Sequence, residues 1–417
     1  MRRLLTASLL ALACAGSPTT DDADTTTLGA DVGSNACPDD GGRPSGRGEF
    51  AAGVDGTLGK MVVFGGDSGI AQSCVPNPRI EGDTWVYDLA CRSWKQLDAA
   101  NGPSPRARTA SAVDTASHRL YVFGGRYRKA ASGAYTLYNE TWVFDLSTNG
   151  WTKLATAGTT PPAVANATLT LDANRSRLLL FGGNSSTSGA SFTPSNALWA
   201  LDLKTLGWSR IDGQSPQKPP ARLFHAAALD TARDILWVHS GGDANAFVGP
   251  FLADLWAFDL QTGSWSAPAA DGQWPTNRIR HTMAFDEARG RLLVFGGHDD
   301  QAMGERNDLT AFDTAQGRWS EPQPGDALNG SPRGFCDFPA DFTTPDLEAP
   351  ERRDGHFVGW DEVRKLFVVF GGKTDCGNIN DVWELDPARN RWTRAVPAFS
   401  GESCLRSGKK DCTSLCF

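Results

Sequence analysis

Positive charge, tyrosine and long apolar runs are all scarce in this sequence of 417 residues. Its 40 lysines and arginines are outnumbered by 48 aspartates and glutamates, which gives a formal net charge of -8. Phosphate binding needs clustered lysine and arginine, so we expect no nucleic-acid partner. No stretch approaches the roughly 20 apolar residues that a membrane-spanning helix requires. Any attachment to a membrane would therefore have to come through a lipid.

The first thirteen residues have the pattern of an export signal. Arg2 and Arg3 form a basic start, residues 4–12 form a short apolar stretch, and the ALA tripeptide at 11–13 provides a small-residue cleavage site. Cys14 follows directly, and this arrangement resembles the lipobox of bacterial lipoproteins, whose cysteine becomes the lipidated first residue. The ALA tripeptide departs from the usual lipobox order, so secretion without a lipid stays open. We expect an exported protein, periplasmic or at the cell surface, anchored through Cys14.

The cysteine count fits an oxidising compartment. Removing Cys14 from the nine cysteines leaves eight, which could form four disulfides. No CxxC spacing occurs, and we expect no metal site and no cofactor. Residues 14–46 contain mostly Thr, Asp, Gly and Ser, which predicts a flexible linker after the lipidated cysteine.

The main feature of the sequence is a repeat marked by an apolar run and two glycines. The glycine pairs begin at positions 65, 124, 182, 241, 296 and 371, with steps of 59, 58, 59, 55 and 75 residues. An aspartate stands ten residues before each pair, except in the fourth unit, where the interval is eleven and His239-Ser240 indicates a bulge. A second aspartate precedes a tryptophan by six residues in every unit. Such a period indicates one supersecondary unit per repeat.

Local patterns predict four strands in each unit. Apolar runs such as LLLF at 178–181 are too short for helices and are typical of buried strands. The stretch TWVFDL at 141–146 alternates, and turn formers separate the second aspartate from the tryptophan. A small sheet of this kind cannot bury both faces alone. Packing six sheets face to face around a ring solves that problem.

The glycine pairs, spaced aspartates and tryptophans together resemble kelch repeats. The resemblance covers residues 47–396 and implies an all-β protein, a six-bladed kelch β-propeller with four antiparallel strands per blade, followed by a cysteine-containing tail at 397–417. We expect the glycines and tryptophans to be structural. The first unit carries its own first strand and the last unit its own tryptophan strand. Ring closure is therefore expected to be unusual, or to involve the tail.

Family topology also implies positions for disulfides and histidines. An insertion at about residues 331–350 leaves the face from which the loops after the glycine pairs emerge, which implies a disulfide between Cys336 and Cys376. The same reasoning suggests Cys37 with Cys74, and the pairing of the tail cysteines stays open. Three histidines at one equivalent position are expected to be structural and not zinc ligands. Adjacent blades lie about 10 Å apart, whereas zinc ligands must lie about 2 Å from the metal. The three histidines are His225, His281 and His356.

Candidate binding residues follow from ligand-binding kelch proteins, whose contacts lie just after the glycine pairs and just before the first strands. The first set here is Asp67, Arg126, Asn184, Asp243, His298 and Lys373. The second set includes Arg108, Arg222, Arg280 and Arg353. Arginines facing a shared pocket could hold carboxylates or sugar acids in a bidentate manner. Alternatively, they pair with nearby aspartates and fix the loops.

Two classes of function remain open. We expect a binding module, not an enzyme, which presents its loop face to a protein or glycan partner at the cell envelope. The alternative is a carbohydrate-active enzyme, since some exported kelch proteins resemble sugar oxidases or sialic-acid mutarotases. A copper oxidase would need a tyrosine and cysteine radical pair with histidine ligands, and among only five tyrosines no such set stands out. Mutarotation needs one acid and one base, for which Asp243 or His298 could serve.

Overall fold

The computed structural model describes residues 37, 42–69, 77–98, 101–213, 215–299, 304–329, 343–344, 346–375 and 377–398. The chain divides into two compact units, residues 1–37 and 38–417, and the fold below belongs to the second. Within the described ranges, the one helical element is the 3-10 turn Ala173–Arg175, and no helix there is long and apolar enough to cross a membrane.

Several predictions about cysteines and chain ends concern residues outside the described ranges. They include the export signal, the lipidated Cys14, most of the linker and most of the tail. Cys74, Cys336 and Cys376 also lie outside, so the two predicted disulfide pairs stay predictions. Cys37 and Cys91 are both disulfide-bonded.

Six sheets form the blades, and each is built from one continuous stretch of chain. The strands of blade 1 are Ala51–Asp55, Lys60–Phe64, Thr84–Asp88 and Ser93–Leu97. Those of blade 2 are Ala110–Asp114, Arg119–Phe123, Thr141–Asp145 and Gly150–Lys153. Those of blade 3 are Ala165–Asp172, Arg177–Asn184, Leu198–Asp202 and Gly207–Arg210.

The second half of the chain repeats the arrangement. The strands of blade 4 are Ala226–Asp230, Ile235–His239, Leu255–Asp259 and Ser264–Ser266. Those of blade 5 are Thr282–Asp286, Arg291–Asp299, Gly304–Asp313 and Arg318–Gln323. Those of blade 6 are Phe357–Asp361, Leu366–Thr374, Gly377–Asp386 and Arg391–Val396. The predicted all-β, six-bladed propeller with mainly four-stranded antiparallel sheets is confirmed.

Short strands extend this framework. Ala157–Gly158 and Asp271–Gly272 pair in parallel with the last strands of blades 3 and 5, and Arg278–Ile279 pairs with Arg291–Asp299. Two further antiparallel strand pairs lie outside the blades. They are formed by Arg126–Tyr127 with Thr136–Leu137, and by Ala327–Leu328 with Thr343–Thr344.

Aromatic side chains join neighbouring blades, as predicted for the repeated tryptophans. Trp151 of blade 2 packs edge-on against Phe64 of blade 1, with ring centroids 5.0 Å apart. The same contact recurs between blades 6 and 1, where Trp94 lies 4.8 Å from Phe370. Large buried aromatic surfaces of this kind dominate core energetics. One hydrophobic cluster accordingly contains residues from blades 1 and 6.

The structure corrects the predicted register of the fourth repeat. Ser240 has φ 54° and Gly241 has φ 100°, the values that the paired glycines have in the other blades. The pair is therefore Ser240-Gly241, ten residues after Asp230 as in every other repeat. The pairing of Ala226–Asp230 with Ile235–His239 is regular, so the predicted bulge is wrong. A serine replaces the first glycine, and its Oγ lies within hydrogen-bond distance of the carbonyl oxygens of Leu252 and Arg278, at 2.6 and 2.8 Å.

The ring closes between blades 6 and 1 without an exchanged strand. Asn380 donates to the carbonyl of Pro44 at 2.9 Å, and Gly372 donates to the carbonyl of Arg47 at 2.8 Å. Arg43 also donates to the carbonyl of Pro397 at 3.1 Å. The expectation that each end unit carries its own outer strand is confirmed, and in the described residues this junction has the same kinds of contact as the others.

The three equivalent histidines bridge adjacent blades. His225 lies 3.0 Å from Thr168, His356 lies 2.8 Å from Thr282, and His281 lies 3.0 Å from His239. Burial lowers the pKa of each of the three well below its usual value. Their predicted structural role is confirmed.

Candidate functional site

One residue per blade, just before the first strand or at its start, has a left-handed backbone. Its φ lies between 56° and 62° in all six cases. We call these residues the axial ring: Glu49, Arg108, Asn166, Phe224, Arg280 and Gly355. Each backbone N–H donates to the carbonyl of the equivalent residue in the preceding blade, at 2.6 to 3.3 Å. The six bonds close a cycle around the propeller axis.

A second set of residues lies two positions before the axial ring in five blades. We call them the loop arginines: Arg47, Arg106, Arg222, Arg278 and Arg353. Each donates from Nη1 to the carbonyl of the residue eighteen positions later, which is the first residue of the glycine pair. Each also pairs with a carboxylate that lies directly before the third strand of its blade or, in blades 5 and 6, within it.

The structure therefore separates the four arginines that were grouped from sequence. Arg222 and Arg353 are loop arginines, and their side chains bind Asp254 and Asp381 at 2.7 Å. The contacts of Arg222 and Arg353 therefore agree with the alternative interpretation, in which each arginine pairs with a nearby aspartate and fixes a loop. Arg108 and Arg280 belong to the axial ring instead.

Arg108 and Arg280 come from opposite sides of the ring and share two neighbours. Arg108 donates from Nε to Glu49 at 2.8 Å, and Arg280 Nη1 lies 3.6 Å from the other oxygen of Glu49. The guanidinium groups also lie over the ring of Phe224, at 5.0 and 4.7 Å from its centroid. Arg280 further donates to Asp354 at 2.9 Å. The centre of the loop face thus combines stacked cations with a buried carboxylate.

The residues that follow the glycine pairs differ in whether they have an acidic partner. Lys373 donates to Asp67 at 2.9 Å, and His298 lies 3.0 Å from Glu305. The guanidinium of Arg126 stacks on the ring of Tyr135, 3.8 Å from its centroid. In the described part of the chain, Arg126 has no carboxylate within ion-pair distance, although its residue is only 7% exposed.

Two predicted site residues lie elsewhere. Asn184 is hydrogen-bonded within its own loop, to Ser186 and Thr193. Asp243 stands one residue beyond the equivalent position because of the corrected register, and Gly242 occupies that position instead. Asp243 Oδ1 accepts from the backbone N–H of Asn245 at 2.7 Å. Within the described residues, neither side chain forms a hydrogen bond or ion pair with the axial ring.

Burial and charge shift several pKa values around the axis. Although burial opposes its ionisation, attraction to Arg108 and three further cations, Lys373, Arg280 and Arg126, lowers the pKa of Glu49 well below its usual value. Burial raises the pKa of Asp354 to about 6, and attraction to Arg280 opposes that rise. Burial, reinforced by repulsion from Arg108, lowers the pKa of Arg126 to about 9. Burial acts to lower the pKa of His298, but attraction to Glu305 and the hydrogen bond with it raise that pKa above its usual value.

Some buried polar atoms at the axis have no hydrogen-bond partner within the described residues. The donors are Nη1 of Arg108, Nε of Arg126, Nε of Arg280 and Nδ2 of Asn166. The acceptors are Oε1 of Glu49 and Oδ1 of Asp354. Buried polar groups are nearly always hydrogen-bonded to protein or to another molecule. These atoms therefore mark hydrogen-bonding capacity at the axis that the described residues leave unused.

Aromatic side chains from the loops of blades 3 and 4 lie beside the axial ring. Phe224 and Phe247 stack with centroids 5.9 Å apart, and Phe192 packs edge-on against Phe247 at 4.9 Å. The next residue, Val248, is 87% exposed. An apolar surface thus adjoins the arginines on the loop face.

The chemistry of the cluster favours anion binding. Arginine side chains with free N–H groups match the geometry of carboxylates. No group of three His, Cys, Asp or Glu side chains in the described ranges could hold a metal ion.

Sequence reasoning missed Glu49, Asn166, Phe224, Asp354 and Glu305. The first three could have been found by counting, because every axial-ring residue lies sixteen positions before the first residue of its glycine pair. The loop arginines lie eighteen positions before it. Glu305 has no such signal, because it meets His298 only through the register of a long hairpin in blade 5.

Comparison with known families gives a match over most of the propeller. A family model described as the KLHDC2/KLHL20/DRC7 Kelch-repeats domain matches residues 34–188 and 170–340.

Individual relatives align with a smaller part of this chain than the family model does. Acyl-CoA-binding domain-containing protein 4 of Arabidopsis thaliana is 30% identical over 63% of this chain and 36% of its own length. Kelch domain-containing protein 10 of Xenopus tropicalis is 26% identical over 72% of this chain and 67% of its own length. Human host cell factor 2 is 28% identical over 55% of this chain and 29% of its own length. The chain thus spans only about a third of the first and third of these relatives.

A solved structure titled "Structure of YjhT" superposes with a TM-score of 0.58. The alignment covers 84% of this chain and 98% of that chain, at 15% sequence identity. At this identity the similarity concerns the fold alone.

Proposed function

Because this chain belongs to the kelch-repeat family, we propose that it is a binding module which holds a carboxylate of a protein or glycan partner at its axial ring. In this proposal the protein is exported, attached to the cell envelope by a lipid on Cys14, and works without a cofactor. The loop face, with its free arginine N–H groups and adjoining aromatic side chains, receives the partner.

The observation that supports this proposal is the composition of the axial ring. A left-handed backbone is free of strain for glycine but costs on the order of 1–3 kcal/mol for other residues. Only Gly355 is a glycine, and the other five positions carry side chains up to the size of arginine and phenylalanine. A ring needed only for its backbone hydrogen bonds would be better built from glycine. The retained side chains therefore favour a role in recognition.

Arg126 adds the charge that recognition needs. Its guanidinium is buried, stacks on Tyr135 and has an unpartnered Nε. A buried charge without a counterion is destabilising unless a ligand supplies one. A partner carboxylate would supply that counterion and accept hydrogen bonds from Arg126 and its neighbours.

The binding test compares partners with free and blocked carboxyl groups. The full-length chain is immobilised and exposed to acidic envelope glycans and proteins, before and after conversion of their carboxyl groups to amides. We expect amidation, and separately Arg126→Met, to weaken binding by at least about tenfold, the effect of losing one charge-assisted hydrogen bond.

The matched control is Arg389→Met. Arg389 pairs with Asp386 in a turn at the opposite ends of the blade strands. This variant is expected to bind like the parent. Binding that survives both amidation and Arg126→Met would rule out carboxylate recognition at the axis.

The proposed localisation is tested separately. Labelling with a radioactive fatty acid is expected to mark the parent chain but not a Cys14→Ala variant. Equal labelling of both chains, or of neither, would contradict lipid attachment at Cys14.

A second candidate, sugar mutarotation, is favoured by one observation. Asp354 is a buried carboxyl whose pKa of about 6 allows it to hold or release a proton near neutral pH. Anomer exchange needs removal of the anomeric O–H proton and protonation of the ring oxygen as the ring C–O bond breaks. NMR exchange measurements on acidic sugars would detect it, and rates equal to those without protein would exclude it.

A further inference from the structure

The unpartnered atoms at the axis are of two chemical kinds and lie in different blades. Donors come from Arg108 and Arg126 of blade 2 and from Asn166 of blade 3. Acceptors come from Glu49, before blade 1, and from Asp354, before blade 6. All five side chains are at least nine-tenths buried. A carboxylate alone can satisfy the donors but leaves the acceptors unpaired.

Both acceptor groups already accept a hydrogen bond from an arginine through one of their two oxygens. Glu49 Oε2 accepts from Arg108 at 2.8 Å, and Asp354 Oδ2 accepts from Arg280 at 2.9 Å. These bonds fix the two carboxylates and leave Glu49 Oε1 and Asp354 Oδ1 without a hydrogen bond. Since an ionised carboxylate only accepts, each free oxygen calls for a donor from the ligand.

The charges of the cluster decide what kind of donor fits. Six side chains are linked by ion pairs, three cations and three carboxylates, and their charges cancel. They are Arg108, Arg280 and Lys373 with Glu49, Asp67 and Asp354. Arg126 is left over as a buried positive charge that forms no ion pair with the described residues. A ligand with one negative charge balances it, whereas a zwitterion, with no net charge, does not.

We propose that the axial site takes a hydroxy acid, a ligand with one carboxylate for the arginine side and neutral hydroxyl groups for Glu49 and Asp354. This inference rests on the proposed function, because it assumes that a carboxylate binds at Arg126. It adds that hydroxyl groups contribute to affinity and that an ammonium group does not replace them.

The test uses six-carbon probes that differ only in these groups. Binding of hexanoate, gluconate, norleucine and sorbitol to the full chain is measured by calorimetry. Hexanoate carries the carboxylate alone, gluconate adds hydroxyl groups, norleucine adds an ammonium group, and sorbitol has hydroxyl groups without a carboxylate. We expect gluconate to bind at least about tenfold more tightly than each of the others, the effect expected from one added hydrogen bond to a charged group.

Two variants locate the effect. Arg126→Met is expected to weaken hexanoate and gluconate alike. Asp354→Ala is expected to bring the ratio of their affinities towards one, a readout that a general loss of folded protein would not change. The probe series on the unaltered chain decides the question even if the second variant fails to fold.

The outcomes separate the two proposals. If hexanoate binds as tightly as gluconate, carboxylate recognition stands and the hydroxy-acid inference is overturned. If norleucine binds at least as tightly as gluconate, the acceptors take an ammonium group and the inference is again overturned. If none of the three acids binds, both the proposed function and this inference fail.

Discussion

Replacing Arg126 with methionine is expected to stabilise the unliganded protein, because it removes a buried charge that has no ion pair with the described residues. Burial and neighbouring cations lower the pKa of Arg126 from 12.5 to about 9. At about 1.4 kcal/mol per pH unit, this difference bounds the cost of keeping the guanidinium charged at roughly 5 kcal/mol. Lost stacking on Tyr135 offsets about 1–2 kcal/mol.

The net gain should be smaller than that bound. Proteins respond to buried charge with an effective dielectric constant near roughly 20, which weakens the penalty. Methionine also keeps most of the apolar stem that packs in the site. We expect the free energy of unfolding to rise by about 1–2 kcal/mol, and Tm by a few degrees.

A loop arginine should behave in the opposite way. Arg353 binds Asp381 through two hydrogen bonds, at 2.7 and 2.9 Å, and also the carbonyl of Gly371. Arg353→Met would leave the Asp381 carboxylate buried and unpaired, at a cost of about 3–5 kcal/mol. The two variants remove the same charge from the same face of the propeller, so each is the control for the other.

Thermal unfolding followed by tryptophan fluorescence, in a buffer free of carboxylates, measures both effects. The reasoning would be refuted if Arg126→Met lowered Tm as much as Arg353→Met does. That result would mean that the Arg126 charge is already compensated in the unliganded protein.

Three further predictions concern pH and backbone crowding. The pKa of Asp354 rises on folding from 3.8 to about 6, so the folded state binds more protons between these values and this group's contribution to stability falls as pH rises towards 6. Asp354→Asn should remove that slope in urea titrations across this range, and an unchanged slope would contradict the assignment. His356 is buried with its pKa lowered well below 6.5, so the unfolded state binds more protons in acid and stability is lost as pH falls below that value. His356→Gln should reduce this acid loss in the same titrations, whereas an acid profile equal to that of the parent would count against it. Gly124 and Gly133 both have positive φ, but an added Cβ would meet the carbonyl of Val164 at 2.5 Å at Gly124 and nothing within 4 Å at Gly133. Gly124→Ala should therefore cost at least about 2 kcal/mol more than Gly133→Ala, for which about 1 kcal/mol is expected, and equal losses would show that φ alone decides.

The fold could be predicted from the sequence because its determinants are local and repeated. The tryptophan six residues after each second aspartate, such as Trp151 after Asp145, marks the fourth strand and packs against the neighbouring blade. The glycine pairs mark where the second strand approaches the adjacent loop. These signals recur at nearly constant spacing, so one misread repeat did not change the architecture.

The site was predicted less well because its contacts join different repeats. Arg108 and Arg222 both precede a first strand, yet one meets Glu49 of another repeat and the other meets Asp254 of its own. The two positions differ in the sequence only by the count to the first residue of the glycine pair, sixteen residues for Arg108 and eighteen for Arg222. The residue type is the same at both, so the arginines alone do not show which contact each one makes. The register of the fourth repeat was also misread. Ser240 stands where the other repeats have their first glycine, so the pattern of two glycines placed the pair one residue too late.

Closure without an exchanged strand has a consequence for how the molecule can be rearranged. Each blade is one uninterrupted stretch of chain, and the points where the chain enters and leaves the ring meet at the bond from Arg43 to Pro397. Circular permutation is therefore open to this propeller: joining those points and cutting between any two blades would divide no sheet. By the same logic, a tandem duplication or deletion of one whole repeat would alter the number of blades while leaving every hairpin intact.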